Sequence, residues 1–121
     1  MQKQGRKRHL LSSTFAMAVW LCLGLMLPLL VSLYSSDTIL PELDRFAPGL
    51  LIVSAGFDAH KADPLAQLRL DTADYAWITK ELLRVAAAHC DGRVVSVLEG
   101  GYDLEALAAS AAAHVRTLMV A

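Results

Sequence analysis

LLIVSAGFD, Leu50 to Asp58, is the stretch on which the fold turns. It follows a Pro48-Gly49 turn, and its residues Leu50 to Ser54 form an apolar, β-branched run that stops at Gly56. A run of that length with no polar face reads as a strand buried on both sides, the kind found inside a parallel sheet covered by helices. RVVSVL, Arg93 to Leu98, repeats the pattern. Between the two, Asp71 can cap a helix from Thr72 to about His89, with Tyr75, Ile78, Leu82, Val85 and His89 on one face at helical spacing. Asp91-Gly92 stops that helix, and after the second strand Asp103 caps a last helix to about Met119. Leu104, Leu107, Ala111, Val115 and Leu118 are its expected core face. Strand, helix, strand and helix in that order predict an α/β fold with two parallel strands and a right-handed crossover.

Upstream of Leu50, Ser36 or Asp37 can cap a short helix to Phe46, provided Pro41 lies in its first turn. Composition changes abruptly near Ser35, which divides the chain into a segment 1–35 and a domain 36–121. The first segment opens with Lys3, Arg6, Lys7 and Arg8 and continues into the apolar run Phe15 to Leu33, FAMAVWLCLGLMLPLLVSL. As a helix this run would extend about 28 Å, close to the hydrocarbon thickness of a bilayer. Three readings stand side by side: an uncleaved membrane anchor with a cytoplasmic N-terminus, a signal peptide, and an apolar stretch that does not serve the domain behind it. The chain has 121 residues, a net charge of -1 and a mean hydropathy of +0.44, room for one ordinary domain. No basic face appears in the domain, which argues against nucleic acid as a partner. Cys22 and Cys90 have neither metal-ligand spacing nor the density of a disulfide scaffold.

In open parallel sheets ligands bind beyond the carboxyl ends of the strands. The loops there are Ala55-Gly56-Phe57-Asp58 and Glu99-Gly100-Gly101-Tyr102. Asp58 offers a carboxylate at the mouth of the sheet, where a hard or borderline cation could bind, although one carboxylate also serves as an ordinary turn cap. Gly100 and Gly101 allow close approach of the backbone to a ligand, and the Tyr102 phenol can donate to a carbonyl oxygen. Either loop alone is common structural punctuation.

Together, SAGFDAHKADPLAQLRL (Ser54 to Leu70) and VLEGGYDLEAL (Val97 to Leu107) resemble the histone deacetylase family, in particular its bacterial, class II-like and acetylpolyamine amidohydrolase-like members. The resemblance runs from Asp37 to Met119. It implies a C-terminal βαβα piece of an arginase/deacetylase-like parallel-sheet fold, here preceded by an apolar helix. It implies that Asp58 is the family's late zinc-binding aspartate and that Tyr102 polarises the acetyl carbonyl and stabilises the oxyanion. Gly100, Gly101 and Leu65 match the wall of the acyl-lysine channel, and an apolar Leu65 leans away from a cationic polyamine substrate. His60 makes an Asp-x-His string with Asp58, but the family's first zinc pair lies far upstream, so this spacing is read as coincidence. His89 and His114 read as packed or surface helix residues.

The family mechanism also needs an upstream Asp-x-His pair and a tandem His-His base, and neither occurs in this sequence. The expectation is therefore a fragment with negligible deacetylase activity by itself, unable to hold zinc stably, carrying an exposed sheet edge, and dependent on an N-terminal half or other protein partner. A single-pass membrane protein with a non-catalytic interaction module is the alternative, and a subunit that lends Asp58 and Tyr102 to a separately encoded half is a third idea.

Overall fold

The computed structural model describes residues 17–19 (backbone), 34–66 and 68–120. Among the described residues three parallel strands form one sheet in the order β1 (Met17–Val19), β2 (Leu51–Ala55), β3 (Val94–Leu98). The register runs Met17 opposite Leu51 and Leu51 opposite Val94, through to Ala55 opposite Leu98. Helix α1 (Leu40–Phe46) precedes β2, α2 (Thr72–His89) crosses from β2 to β3, and α3 (Leu104–Met119) follows. The expected strand–helix–strand–helix order is present, with β2 set one residue later than its sequence bounds at both ends and β3 one residue later at its start. The apolar helix expected over Phe15 to Leu33 lies outside the described residues except at Met17–Val19, and those three are a strand. Among the described residues no helix is long and apolar enough to cross a membrane.

The entry to α1 differs from expectation. Neither Ser36 nor Asp37 caps it; a π-helical turn, Ser35–Ile39, leads straight into it from Tyr34, which is already helical at φ -63. Pro41 supplies the reason. It has no N–H to continue the α-helical ladder, and its ring would crowd the carbonyl one turn back; a wider turn relieves that clash. At the other end Ala47 takes a left-handed conformation, φ 50, while its N–H still reaches the Leu43 carbonyl at 3.1 Å.

Helix α2 begins with a reciprocal capping box between Asp71 and Asp74 and stops where Asp91 and Gly92 turn left-handed, φ 52 and 71. Tyr75, Leu82 and Val85 are buried as the periodicity implies, joined by Thr79 and Ala86. His89, expected on the same face, instead meets Asp44 of α1, its Nε2 lying 3.0 Å from the carboxylate. In α3 the buried stripe is Ala106, Ser110 and His114, with Leu107 and Ala111 partly covered. Leu104 and Val115, predicted for the core, are 78% and 49% exposed. Hydrophobicity misplaced this face because its buried positions are Ala106, Ser110 and His114, the last bonded to Thr79 of α2.

Leu51, Val53 and Ala55 of β2 point into the core, and Ile52 and Ser54 are half-buried on the other side. β3 does not meet the expectation of burial on both faces: Val95, Val97 and Leu98 are 47%, 50% and 61% exposed. It is the outermost strand of the sheet, and nothing among the described residues pairs with its far side. Ser96, on the core side of β3, bonds to His114, so α3 covers that face.

Two outcomes follow from this architecture. The Asp44 carboxyl is held below its usual range, first by its hydrogen bonds from Arg84 and then by His89, so it ties α1 to α2 most strongly when ionised. Its contribution to stability is complete above about pH 4 and is lost as the pH falls further, so the acid limb of stability against pH should flatten in Asp44→Asn, as read by urea unfolding. Val97→Lys should leave stability within about 0.5 kcal/mol, because the site is exposed, while reducing concentration-dependent light scattering. Unchanged scattering would mean that β3 is not the adhesive edge.

Candidate functional site

The parallel register carries β2 and β3 to the same level, and the Glu99 N–H makes the last ladder bond to the Ala55 carbonyl at 3.1 Å. Beyond it the Phe57 N–H donates to the Gly100 carbonyl at 2.7 Å, so the two loops continue to hold each other after the sheet has ended. Asp58, the next residue, lies directly against Gly100. A Cβ on Gly100 would stand 2.9 Å from the Asp58 Cγ and 3.0 and 3.1 Å from its two carboxylate oxygens. One on Gly56 would stand 3.0 Å from Oδ1. Both glycines are therefore spaces for one carboxylate. Gly101 serves differently: its φ is +141, and an added Cβ would meet Leu107 at 2.8 Å and Phe57 at 3.3 Å.

A second carboxylate, which the sequence reading passed over, binds the same pair of loops. Asp63 is buried and accepts three backbone hydrogen bonds, from Leu65 N–H at 3.0 Å, Tyr102 N–H at 2.6 Å and Asp103 N–H at 3.1 Å. Burial alone would raise its carboxyl, but the three N–H donors and the nearby His60 outweigh that and hold it below its usual value. Leu65 and Tyr102 thus hang on either side of one anchored group, with side chains 60% and 59% exposed. All five residues singled out from the sequence, Asp58, Leu65, Gly100, Gly101 and Tyr102, gather on the two loops at the carboxyl end of β2 and β3.

Behind Asp58 stands a layer of packed polar groups. The Phe57 ring lies between Tyr75, at 5.2 Å, and His114, at 5.9 Å in an edge-to-face arrangement. The Tyr75 hydroxyl donates to the Phe57 carbonyl at 3.1 Å, and burial first, then the Asp58, Asp63 and Asp74 carboxylates, push its pKa well above the ordinary value. The Thr79 hydroxyl donates to the Tyr75 carbonyl at 2.6 Å, so at 2.7 Å from His114 Nδ1 it must accept. His114 Nε2, 2.8 Å from the Ser96 hydroxyl, is then free to accept in turn. Burial depresses the His114 pKa, in keeping with a neutral ring fixed in one tautomer. Thr79, Ser96 and Asp63 went unread in the sequence, and His114, read as a packed or surface helix residue, is a packed one. A lone His in an alanine-rich helix, and an Asp followed by Pro, were the signals available.

His60 is buried, with Nδ1 accepting from the Ala62 N–H at 3.2 Å and Nε2 3.4 Å from the Thr72 hydroxyl. One nitrogen is used within the loop and the other at the start of α2. Among the described residues no group of three His, Cys, Asp or Glu side chains is gathered as a metal site. Asp58 has the chemistry of one zinc ligand, but a zinc ion takes about four donors, so the described set does not fit one unaided.

This arrangement defines an α/β domain whose candidate site lies at the carboxyl ends of parallel strands. The family model of the histone deacetylase domain matches residues 27–118, and the chain belongs to that family. It is 47% identical over 83 residues to histone deacetylase 14, chloroplastic, of Arabidopsis thaliana, covering 69% of this chain and 20% of that protein. With the histone deacetylase-like amidohydrolase of Pseudomonas aeruginosa it shares 44% identity over 65 residues, covering 54% of this chain and 17% of the relative. The crystal structure of the HDA15 HD domain superposes with a TM-score of 0.71 at 33% identity, over 81% of this chain and 27% of that one. The structure of the histone deacetylase Clr3 gives 0.71 at 35% identity, over 84% and 16%. The chain thus spans about a fifth of the length of these curated relatives.

The Asp58–Gly100 contact is open to a double-mutant cycle. Gly100→Ala should cost about 1–3 kcal/mol by forcing a Cβ against the carboxylate, and the cost should fall by at least half in an Asp58→Ala background, read by chemical unfolding. Equal costs in the two backgrounds would show that the carboxylate does not occupy that space.

Proposed function

We propose that this chain contributes part of a zinc-dependent deacetylase centre, with Asp58 as one metal ligand and Tyr102 as the hydrogen-bond donor to the acyl oxygen. The substrate class is an acetylated lysine or a small acetylated amine. The observation that carries the reading is the seating of the Asp58 carboxylate against Gly100, two residues before Tyr102. It joins a cation-binding oxygen donor to a phenol within one rigid pair of loops. Tyr102 suits an oxyanion by chemistry, since its phenolic O–H is a hydrogen-bond donor. Leu65 offers an apolar wall to the acyl-bearing chain, and Gly100 and Gly101 keep the backbone free of side chains where that chain would pass.

The reading assigns the remaining metal donors and the base to another polypeptide stretch, because one carboxylate cannot hold zinc and no tandem His occurs in the sequence. The partner implied is therefore a segment carrying an Asp-x-His pair and a His-His pair. Alone, the chain should show neither stoichiometric zinc nor turnover.

Co-expression with such a segment from a related deacetylase tests the assignment by zinc content and hydrolysis of an acetyl-lysine peptide. Both should appear only in the mixture and be lost in Asp58→Asn. Tyr102→Phe should retain zinc while turnover falls about a hundredfold or more. Full activity in either variant would overturn the assignment.

A further inference from the structure

We propose that Asp63 is the positioning residue of this centre: one buried carboxylate spans two loops and fixes the backbone of Tyr102 on one side and of Leu65 on the other. The proposal rests on the role given above to Tyr102. Side chains that are 59% and 60% exposed are not positioned by packing, so their placement depends on where the backbone is held. At both residues the backbone N–H is held by Asp63, at 2.6 Å for Tyr102 and 3.0 Å for Leu65.

The chemistry of the group fits the task. Oδ2 accepts two consecutive donors, Tyr102 N–H and Asp103 N–H, just where α3 begins, while the Asp103 side chain accepts from Ala106 N–H, at 2.8 Å. Oδ1 takes Leu65 N–H, two residues on, in an Asx turn. Pro64, between them, has no N–H to compete and a fixed φ that returns the chain toward the carboxylate. Three donors converge on one group, so only an acceptor carrying no hydrogen satisfies all of them. An amide in its place would point its own N–H₂ at a backbone donor whichever way it was turned. Charge-assisted bonds of this kind are about twice as strong as neutral ones, which suits a loop that must be still without being buried. The titratable neighbours of Asp63 include His60 in its own loop, Tyr75 on α2, and Tyr102 and Asp103, from whose N–H groups it accepts.

The test needs neither zinc nor substrate, so it stands or falls separately from the deacetylase reading. In the full chain, amide resonances of Leu65, Tyr102 and Asp103 should titrate together, with one midpoint below the usual carboxylate range. In Asp63→Asn that shared titration should vanish, and hydrogen exchange at Tyr102 and Asp103 should accelerate roughly tenfold or more, while Ile52 and Val53 in β2 change less than about twofold. Equal acceleration throughout would mean that Asp63 only stabilises the fold, and would overturn the proposal. Because Asp63→Asn could fail to fold, the wild-type titration is decisive by itself: separate midpoints, or none, at Leu65, Tyr102 and Asp103 also overturn it.

Discussion

Two neighbouring parallel strands end at the same level, and the hydrogen bond from the Phe57 N–H to the Gly100 carbonyl extends their pairing into the loops beyond. The rest of the candidate site is built on that bond. It brings Asp58 against Gly100, which is why position 100 has no side chain, and it sets Phe57 where Tyr75 and His114 can grip its ring. Loops normally gain rigidity by burial, but these must remain open at the sheet end. Here they are held instead by backbone bonds, by the Asp63 carboxylate, and by a floor of paired polar groups from α2, α3 and β3.

Much of the frame was legible in the sequence because strands buried between helices leave a strong signal. LLIVS and RVVSVL appear within one residue of their bounds, and the Asp71 and Asp103 caps start their helices as expected. What the pattern missed is instructive. The face of α3 was misjudged because a close helix contact made of alanine, serine and a hydrogen-bonded histidine has no apolar contrast. The entrance to α1 was misjudged because Pro41 acts through the turn before it. Asp63 was passed over because a carboxylate that caps backbone N–H groups across 39 residues of sequence leaves no periodic trace.

The candidate site residues drew notice for a different reason. Asp58 and Tyr102 sit in strings specific enough to resemble one family, and the family match over residues 27–118 bears that resemblance out. Reasoning from residue types gave the two glycines the task of exposing backbone to a ligand. Their geometry gives them a prior one, since Gly100, like Gly56, makes room for Asp58, and Gly101 for Leu107 and Phe57.

If the two loops form one unit in the isolated chain, the Phe57 amide records it. Native-state hydrogen exchange should find it protected nearly as well as Ile52 and Val53 in the centre of β2, although it lies beyond the end of the strand. Exchange as fast as that of an exposed loop amide would show that the Phe57–Gly100 bond does not persist, and that Asp58 and Tyr102 are not held together by this chain.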